Sequence, residues 1–335
     1  MNVRERIEIY ENETLSPFAC RSSESLGRDI PEKECDIRTV FQRDRDRILH
    51  CKAFRRLKRK TQVFLAPEGD HYRTRLTHTL EVAQIARTVA RALKMNEDLT
   101  EAIALGHDLG HTPFGHKGER VLNKLCDEGF SHSKQSLRVV EKLERGGKGL
   151  NLTKEVRDGI VNHSMSGNPS TMEGKIVRFS DKIAYINHDV DDALRSGILT
   201  EESLPREFTD VLGYNVHDRL NFMVHNIIAS SMNTSSISLD EDVEEAIMGL
   251  RAFLFENLYS GSVAKAEEGK AGDIVRMLYE YYMENIEALP EEYLNMVWIE
   301  GESWSRVVCD YISGMTDSYA IHTFNELFVP KTWQY

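Results

Sequence analysis

Apolar residues recur at intervals of three and four positions along most of this chain, and no segment shows a sustained alternation of β-branched residues. This spacing is typical of amphipathic α-helices, so it predicts an all-α protein. The spacing predicts helices over residues 40–60, 75–93, 99–109, 175–194, 241–259 and 274–289.

Clusters of glycine, proline and polar residues mark the breaks between these helices. Residues 1–38 are polar and are expected to be irregular, and loops are expected at 66–70 and 164–174. No internal repeat, low-complexity tract or shift of composition indicates a flexible linker. One domain with a helical C-terminal extension is therefore the simplest organisation.

Composition places the chain among globular proteins. With 335 residues, of which 41% are hydrophobic, it can bury a full core. The five cysteines are scattered and odd in number, which disfavours a disulfide framework and indicates a reducing compartment. The charged N-terminus lacks the apolar stretch of a secretion signal, and no run approaches the roughly 18 apolar residues of a membrane span. A cytoplasmic protein without a membrane partner is expected.

The net charge of −12 disfavours a general attraction to polyanions, but one segment departs from this balance. Residues 43–60 contain nine Lys or Arg against two Asp. Two interpretations stay open: a solvated helix face with Ile48, Phe54 and Leu57 packed inward, or a surface that binds the phosphates of a substrate, a regulator or a nucleic acid.

Candidate chemistry concentrates in one part of the chain, since eight of the 12 histidines lie between residues 71 and 188. Here His78, the adjacent pair His107 and Asp108, and the distant Asp181 offer two imidazoles and two carboxylates. This donor set suits one divalent ion, whereas a structural zinc site usually takes thiolates at short spacing, and the chain has no CxxC pair. A lone His or Asp on an apolar helix is more often a hydrogen-bonded structural residue, so the prediction rests on the four together.

The adjacent pair imposes a condition on the backbone. Neighbouring residues of a regular helix point about 100° apart, so His107 and Asp108 can share one ion only at a helix end or distortion. Gly106 and Gly110 favour such an end.

These segments resemble the HD superfamily of metal-dependent phosphohydrolases, a helical-bundle fold named for its adjacent His-Asp pair. The deoxyguanosinetriphosphate triphosphohydrolase family is a closer resemblance, carried by RDRDRI (43–48), AFRRLKRKTQV (53–63), HDLGHTPFGHKGE (107–119), SDKIAYINHDVDDA (180–193) and GMTDSYA (314–320). The resemblance implies an HD metallophosphohydrolase core at 39–204, after an irregular segment at 1–38 and before a C-terminal helical region at 205–335 packed on the core.

By this resemblance the reaction is hydrolysis of a deoxynucleoside triphosphate to the deoxynucleoside and inorganic triphosphate, with one ion of Mn, Mg, Fe, Co, Ni or Zn as cofactor. The 5′ oxygen of the sugar is a poor leaving group unless it is protonated, so a histidine acid is required. His116 is the leading candidate, with Glu119 to orient its ring, and His111 and His132 are expected to line the same pocket. Which histidine delivers the proton stays open, and a surface ion pair explains His116 and Glu119 equally well when they are taken alone.

Candidate substrate contacts follow Asp181 on the same predicted helix. Lys182, Tyr185 and Asp189 recur at three and four residues and share a face. The resemblance implies that Lys182 binds phosphate, that Tyr185 contacts the sugar and excludes a ribose 2′-hydroxyl, and that Asp189 accepts from the 3′-hydroxyl. The alternative is an exposed polar face with one packed tyrosine.

Two further contacts are expected before the His-Asp pair. Arg75 is expected to clamp phosphate, and Gln62 to meet the base or the sugar. The alternative for each of these two residues is an ordinary position on a helix surface, without a substrate contact.

Other functions stay open at this point. The same ion could serve a nucleoside monophosphatase or a cyclic-nucleotide phosphodiesterase, or the chain could be a non-catalytic regulator that binds nucleotides or single-stranded nucleic acid through residues 43–60. The chain is shorter than the dGTP-specific members of the family and resembles its compact triphosphohydrolase-like group. The base preference therefore stays open, and dGTP or a broader set of dNTPs is expected as substrate. The resemblance also implies a homo-oligomer and a nucleotide effector.

Overall fold

The computed structural model describes residues 1–62, 73–195, 197–258 and 262–331. Within these ranges all regular secondary structure is helical, apart from one isolated antiparallel bridge between Thr61 and Thr74, so the all-α prediction is confirmed. The loop predicted at 66–70 and the histidine at position 71 lie outside the described residues.

The helices of the described ranges are as follows: α1 (Val3–Thr14), α2 (Val40–Leu49), α3 (Lys52–Arg56), α4 (Arg75–Ala92), α5 (Glu97–Gly106), α6 (Gly115–Leu125), α7 (His132–Arg138), α8 (Lys154–Val161), α9 (Met172–Arg195), α10 (Arg206–Leu212), α11 (Val216–Ser231), α12 (Glu241–Leu258), α13 (Ser262–Glu284), α14 (Glu291–Trp298), α15 (Trp304–Ser313) and α16 (Asp317–Phe328). Short 3₁₀ turns occur at Ser22–Glu24, Leu57–Arg59, Glu201–Ser203 and Ile286–Ala288, and a π-helical turn at Val139–Leu143.

Helix α1 corrects the expectation of irregular backbone over residues 1–38, which is wrong for Val3–Thr14. The Asn2 side chain accepts a hydrogen bond from the Glu5 amide, and the Glu5 carboxylate accepts one from the Asn2 amide. This reciprocal capping satisfies two amides that a helix start otherwise leaves unpaired, so the helix forms despite its polar composition.

The predicted helix over residues 40–60 is also interrupted. Helix α2 ends at Leu49, and α3 and a 3₁₀ turn follow after His50 and Cys51. Ile48, Phe54 and Leu57 are buried, as the first interpretation of this segment predicts.

The chain divides into two compact units, and each unit draws on three segments. Unit 1 comprises Met1–Cys51, Thr77–His107 and Leu150–Gly261, and unit 2 comprises Lys52–Leu76, Asp108–Gly149 and Ser262–Tyr335. The division of the chain at residues 38 and 204 stays a prediction.

In unit 1, α5 lies at the centre and packs against α2, α8 and α9. Two glycines allow the close approach of α5 and α8. A Cβ at Gly106 would lie 2.6 Å from the Ile160 side chain, and a Cβ at Gly159 would lie 2.5 Å from the Ile103 side chain. The end of α5, where the His-Asp pair begins, is therefore held by tight packing.

In unit 2, α13 packs against α6, α15 and α16 around a continuous apolar core. Leu122 of α6 is fully buried there beside Val275 and Leu278 of α13. This packing fixes the helix that carries His116 and Glu119.

Candidate metal centre and active site

Three elements of unit 1 bring His78, His107 and Asp181 together. His78 lies in the first turn of α4, His107 directly follows the last residue of α5, and Asp181 lies on α9. The Nε2 atoms of His78 and His107 lie 3.1 and 3.7 Å from the same oxygen, Asp181 Oδ1. The helix end required by the adjacent pair is thus present at Gly106.

Hydrogen bonds on the far side of each ring determine which nitrogen faces Asp181. His107 Nδ1 lies 2.7 Å from the carbonyl oxygen of Ala104, which can only accept, so Nδ1 carries the proton and the neutral ring directs the lone pair of Nε2 towards Asp181. This tautomer is the one that a metal ligand requires.

His78 is oriented by a relay of two further residues. Its Nδ1 lies 3.1 Å from His188 Nδ1, and His188 Nε2 lies 2.8 Å from Glu81 Oε2. The carboxylate accepts from His188 Nε2, which leaves His188 Nδ1 to accept from His78 Nδ1 when both rings are neutral. His78 Nε2 then also presents a lone pair to Asp181.

The donor set fits a divalent cation. Two imidazole lone pairs and one carboxylate oxygen converge without a proton between them when the rings are neutral, and a cation between them removes the repulsion.

Sequence reasoning missed the residues that support these ligands. His188, Glu81 and His163 were absent from the predicted site, although both histidines belong to the enriched stretch. His163 is buried, its Nδ1 lies 2.7 Å from the Ile160 carbonyl, and its ring centroid lies 5.0 Å from that of His107. The spacing of Glu81 three residues after His78 was the available signal, because such residues share a helix face.

The second segment of unit 2 begins with Asp108 and contains a cluster of three histidines. The rings of His111 and His132 stack at 4.7 Å with an interplanar angle of 17°, and the ring centroid of His116 lies 5.3 Å from that of His111. Asp108 Oδ2 pairs with Arg75 Nη1 at 2.8 Å, and both residues are buried. The predicted proton-transfer residues therefore do lie together.

Glu119 joins two of these histidines. Its Oε1 accepts from the backbone amide and from Nδ1 of His132, both at 2.8 Å, and its Oε2 lies 3.2 Å from His116 Nδ1. Burial opposes the charge of Glu119, but the hydrogen bonds from His116 and His132 lower the pKa of this carboxyl far below its usual range. Glu119 is therefore ionised.

The two stacked histidines, His111 and His132, differ in their ability to hold a proton. Burial and the nearby Arg75 charge hold the pKa of His111 well below its usual value. Burial also opposes the charge of His132, yet the hydrogen bond and charge of Glu119 raise the pKa of His132 overall. His132 therefore holds a proton more readily than His111 does.

Glycines permit the tight backbone around this cluster. A Cβ at Gly110 would overlap the backbone of Gln135 and Ser136, and a Cβ at Gly118 would overlap the Pro113 carbonyl oxygen. The glycine pattern of HDLGHTPFGHKGE therefore reflects close backbone packing.

Two predicted substrate contacts in unit 2 have unused hydrogen-bonding groups. Arg75 Nε and Nη2 and Gln62 Oε1 are buried and have no hydrogen-bond partner among the residues that the structure describes. A buried guanidinium with two unused nitrogens is costly to maintain unless an acceptor binds there.

The predicted contacts of unit 1 lie along α9. Lys182 Nζ pairs with Glu244 Oε1 at 3.0 Å, and both Lys182 and Asp189 are buried, so the alternative of an exposed polar face is wrong. Within the described ranges, Asp189 Oδ1 has no hydrogen-bond partner. Burial, with a contribution from Asp192, raises the pKa of Asp189 to about 8, so its carboxyl is largely protonated at neutral pH.

The basic segment at residues 43–60 has two fates: some of its arginines form ion pairs, and others line a cavity. Arg43 and Arg47 pair with Glu32. Within unit 2, Arg56 and Arg59 line a cavity of about 500 Å³. The other lining residues are mainly aromatic or polar and include Tyr293, Tyr311, Tyr319, Thr316, Ser318 and His322.

None of the helices in the described ranges combines the length and the apolar character needed to cross a bilayer.

Comparisons with known proteins agree with the geometry. Residues 75–186 match the HD domain, and residues 237–326 match the phosphohydrolase-associated domain. A phosphohydrolase from Bacteroides thetaiotaomicron shares the fold, with a TM-score of 0.54 and 17% identity over 84% of this chain and 68% of its own.

Two relatives are each named deoxyguanosinetriphosphate triphosphohydrolase-like protein. The protein from Caldanaerobacter subterraneus subsp. tengcongensis is 59% identical over 99% of this chain and 98% of its own length. The protein from Clostridium perfringens strain SM101 is 50% identical over the full length of both. This chain belongs to the deoxyguanosinetriphosphate triphosphohydrolase-like family of HD phosphohydrolases.

Proposed function

We propose that this protein hydrolyses deoxynucleoside triphosphates, dGTP or a broader set, to the deoxynucleoside and inorganic triphosphate in a metal-dependent reaction. The observation that carries the proposal is the orientation of two imidazole Nε2 atoms, of His78 and His107, towards one oxygen of Asp181. The names of the relatives support the class of substrate.

His78, His107 and Asp181 would hold the ion, and Asp108 is proposed as the fourth ligand because it directly follows His107 in the chain. When bound, a divalent ion (Mn, Mg, Fe, Co, Ni or Zn) supplies Lewis acidity towards phosphate and lowers the pKa of water. The Ala104 carbonyl and the His188–Glu81 relay keep the imidazoles in the tautomer that binds cations.

The proton for the departing 5′ oxygen would come from the pair of imidazoles on Glu119. His116 is proposed as the donor, because its ring is partly exposed while its Nδ1 bonds to the carboxylate. His132 is the alternative donor. His111 would serve as a neutral partner in the stack, since the pKa of His111 is held low by burial.

Substrate binding would use the contacts that the resemblance implies. Arg75 would donate from Nε and Nη2 to phosphate oxygens, and Gln62 would meet the base or the sugar. Protonated Asp189 would bond the 3′-hydroxyl, and Tyr185 would exclude a 2′-hydroxyl. Lys182 would bind phosphate after its ion pair with Glu244 breaks, and the half-exposed side chain of Glu244 is free to turn towards solvent.

Product analysis tests the proposal. The purified protein is incubated with each dNTP and with Mn or Mg, and the products are separated by anion-exchange chromatography. Tripolyphosphate with free deoxynucleoside is expected, and both disappear in His107→Ala. Orthophosphate from a monophosphate, or a linear product from a cyclic nucleotide, would instead support a nucleoside monophosphatase or a cyclic-nucleotide phosphodiesterase.

A nucleotide effector is a second proposal, favoured by the cavity that Arg56 and Arg59 line together with several tyrosines. Arginine nitrogens suit phosphate, and tyrosine rings suit stacking of a base, in a free nucleotide or in single-stranded DNA. Hydrolysis is expected to survive neutralisation of Arg55, Arg56 and Lys58 better than His107→Ala. Salt-dependent binding of single-stranded DNA without turnover of any dNTP would favour the purely regulatory function.

A homo-oligomer stays a proposal as well. Light scattering coupled to size-exclusion chromatography, with and without dNTP, measures the mass of the assembly and tests it.

A further inference from the structure

We propose that Asp317 is a positioning residue for hydrolysis. Through hydrogen bonds to Phe114 and Thr61, it would fix the turn that begins α6 and thereby the placement of His116 and Glu119. The inference rests on the proposed function, because those two residues are the candidate proton-transfer pair.

Asp317 is the first residue of α16 and is buried in unit 2. Its Oδ1 accepts from the Phe114 amide at 3.0 Å. Its Oδ2 accepts from the Thr61 amide at 3.0 Å and from the Thr61 hydroxyl at 2.7 Å. One carboxylate thus joins three donors from two segments that are distant in sequence.

The backbone that Asp317 holds is strained. Phe114 has φ +59°, in the left-handed region, and Gly115 follows with φ +55°. A non-glycine residue in this region costs about 1 kcal/mol or more. Phe114 also provides no side-chain cap for α6, so contacts from elsewhere must maintain the conformation. The carboxylate of Asp317 supplies one such contact.

The turn is held at its other end as well. The side-chain nitrogen of Lys60, the residue before Thr61, is buried and donates to the His111 carbonyl and, at 2.7 Å, to the Ser313 carbonyl. Lys60, Thr61 and Asp317 thus hold the turn before α6 through hydrogen bonds at both of its ends.

Position matters because His116 is the second residue of α6 and Glu119 is the fifth. A change in the Phe114 dihedral angles rotates the start of the helix and moves both side chains with it. Misplacement of a catalytic group by about 1 Å is enough to lower a rate by roughly 100-fold.

Asp44 provides a matched control. It is also a buried carboxylate, and its Oδ2 accepts from a threonine amide (Thr153, 2.8 Å) and from the same threonine's hydroxyl (2.7 Å). Thr153 precedes α8, which carries none of the predicted site residues. Loss of this carboxylate should affect stability and leave the chemistry intact.

The test compares wild type, Asp317→Asn and Asp44→Asn on two substrates, with metal content measured for each. The first substrate is the preferred dNTP. The second is bis(p-nitrophenyl) phosphate, whose leaving group departs without protonation.

Asp317→Asn should lower kcat for the dNTP by about 100-fold with little change in KM, because the proton donor is misplaced while the other contacts remain. The same variant should keep its activity on the p-nitrophenyl ester. Asp44→Asn should keep both activities below its melting temperature.

Hydrogen exchange gives a readout that does not depend on activity. Peptides covering residues 111–119 should exchange faster in Asp317→Asn than in Asp44→Asn, since asparagine has one acceptor oxygen and turns an NH₂ group either to the Phe114 amide or to the Thr61 donors, which loosens the turn. Thr61→Val removes only the hydroxyl donor and should show a smaller loss of kcat with the same difference between substrates. It serves as the test if Asp317→Asn does not fold.

Three outcomes would overturn the inference while the proposed function stands. They are an unchanged kcat for dNTP in folded, metal-loaded Asp317→Asn, an equal loss on both substrates, and unchanged exchange over residues 111–119. A wild-type protein inactive on every dNTP would overturn the proposed function and the inference with it.

Discussion

Replacement of Glu119 by glutamine tests the proton-transfer cluster directly. The carboxylate accepts from both His116 and His132, whereas an amide has one oxygen and must turn its NH₂ group towards one of the two rings. The variant keeps the shape of the side chain and removes its charge, so the effect reports on the electrostatic support of the imidazoles.

The two hydrogen bonds of Glu119 give the expected size of the loss of kcat. A hydrogen bond to a charged group contributes about 1.5–3 kcal/mol, roughly twice a neutral one. Loss of the charge from two such bonds, to His116 and His132, therefore removes about 2–3 kcal/mol of support for a protonated imidazole. That corresponds to a kcat reduced by roughly 100-fold, within the usual contribution of general acid catalysis.

The direction of the pH effect also follows. Glu119 raises the pKa of His132, so its neutral replacement lowers that pKa. A general acid must be protonated to act, so the loss of activity at high pH should begin at a lower pH in Glu119→Gln. The assay is kcat for dNTP hydrolysis measured across pH, with the tripolyphosphate product quantified.

Glu302→Gln is the matched control. Glu302 also lies in unit 2, has two cationic partners, Lys142 and Arg138, and has a side chain 21% exposed against 16% for Glu119. Its replacement should leave kcat and its pH profile unchanged. If both variants lose activity equally, or if Glu119→Gln keeps the wild-type kcat while folded, the assignment of the cluster to proton transfer is refuted.

Three further predictions concern the metal, pH-dependent stability and packing. His107→Ala should lose bound metal, measured by mass spectrometry of the elements, together with dNTP hydrolysis; full metal occupancy in the folded variant would count against the centre. Burial raises the pKa of Glu173 to about 7 in the folded protein, against 4.5 as the ordinary value, so ionisation should cost the wild type up to about 3 kcal/mol as pH rises from 5 to 8. Urea unfolding of Glu173→Gln should show a flatter pH dependence, and parallel curves would exclude the effect. Gly110→Ala should destabilise by about 3 kcal/mol through backbone overlap, whereas Gly269→Ala, with no atom within 4 Å, should be neutral or stabilising in thermal unfolding.

Local patterns were sufficient for much of the fold. Helices α4 and α9 follow from the three- and four-residue spacing of their apolar positions, and the end of α5 follows from the glycines around the His-Asp pair. Helix α1 was missed because its start depends on reciprocal capping by Asn2 and Glu5, which leaves no trace in hydrophobic spacing.

The candidate site was predictable only where its residues belong to one motif. His107, His116 and Glu119 lie within 13 consecutive residues, so resemblance could group them. Glu81 and His188 are joined through space across more than 100 positions, and Asp317 reaches Phe114 across 203. Such pairs follow from tertiary packing, which neither periodicity nor a single sequence reports.

The segmented construction of unit 2 has a consequence for the nascent chain. Residues 108–149 are synthesised before residues 150–261, and only after these do residues 262–335 supply α13, α15 and α16. At ordinary translation speeds the intervening stretch takes about 5–25 s. During this interval Leu122 of α6 lacks its apolar neighbours, so chaperone binding is most needed there, and a messenger truncated before α13 would yield a histidine cluster without a folded scaffold.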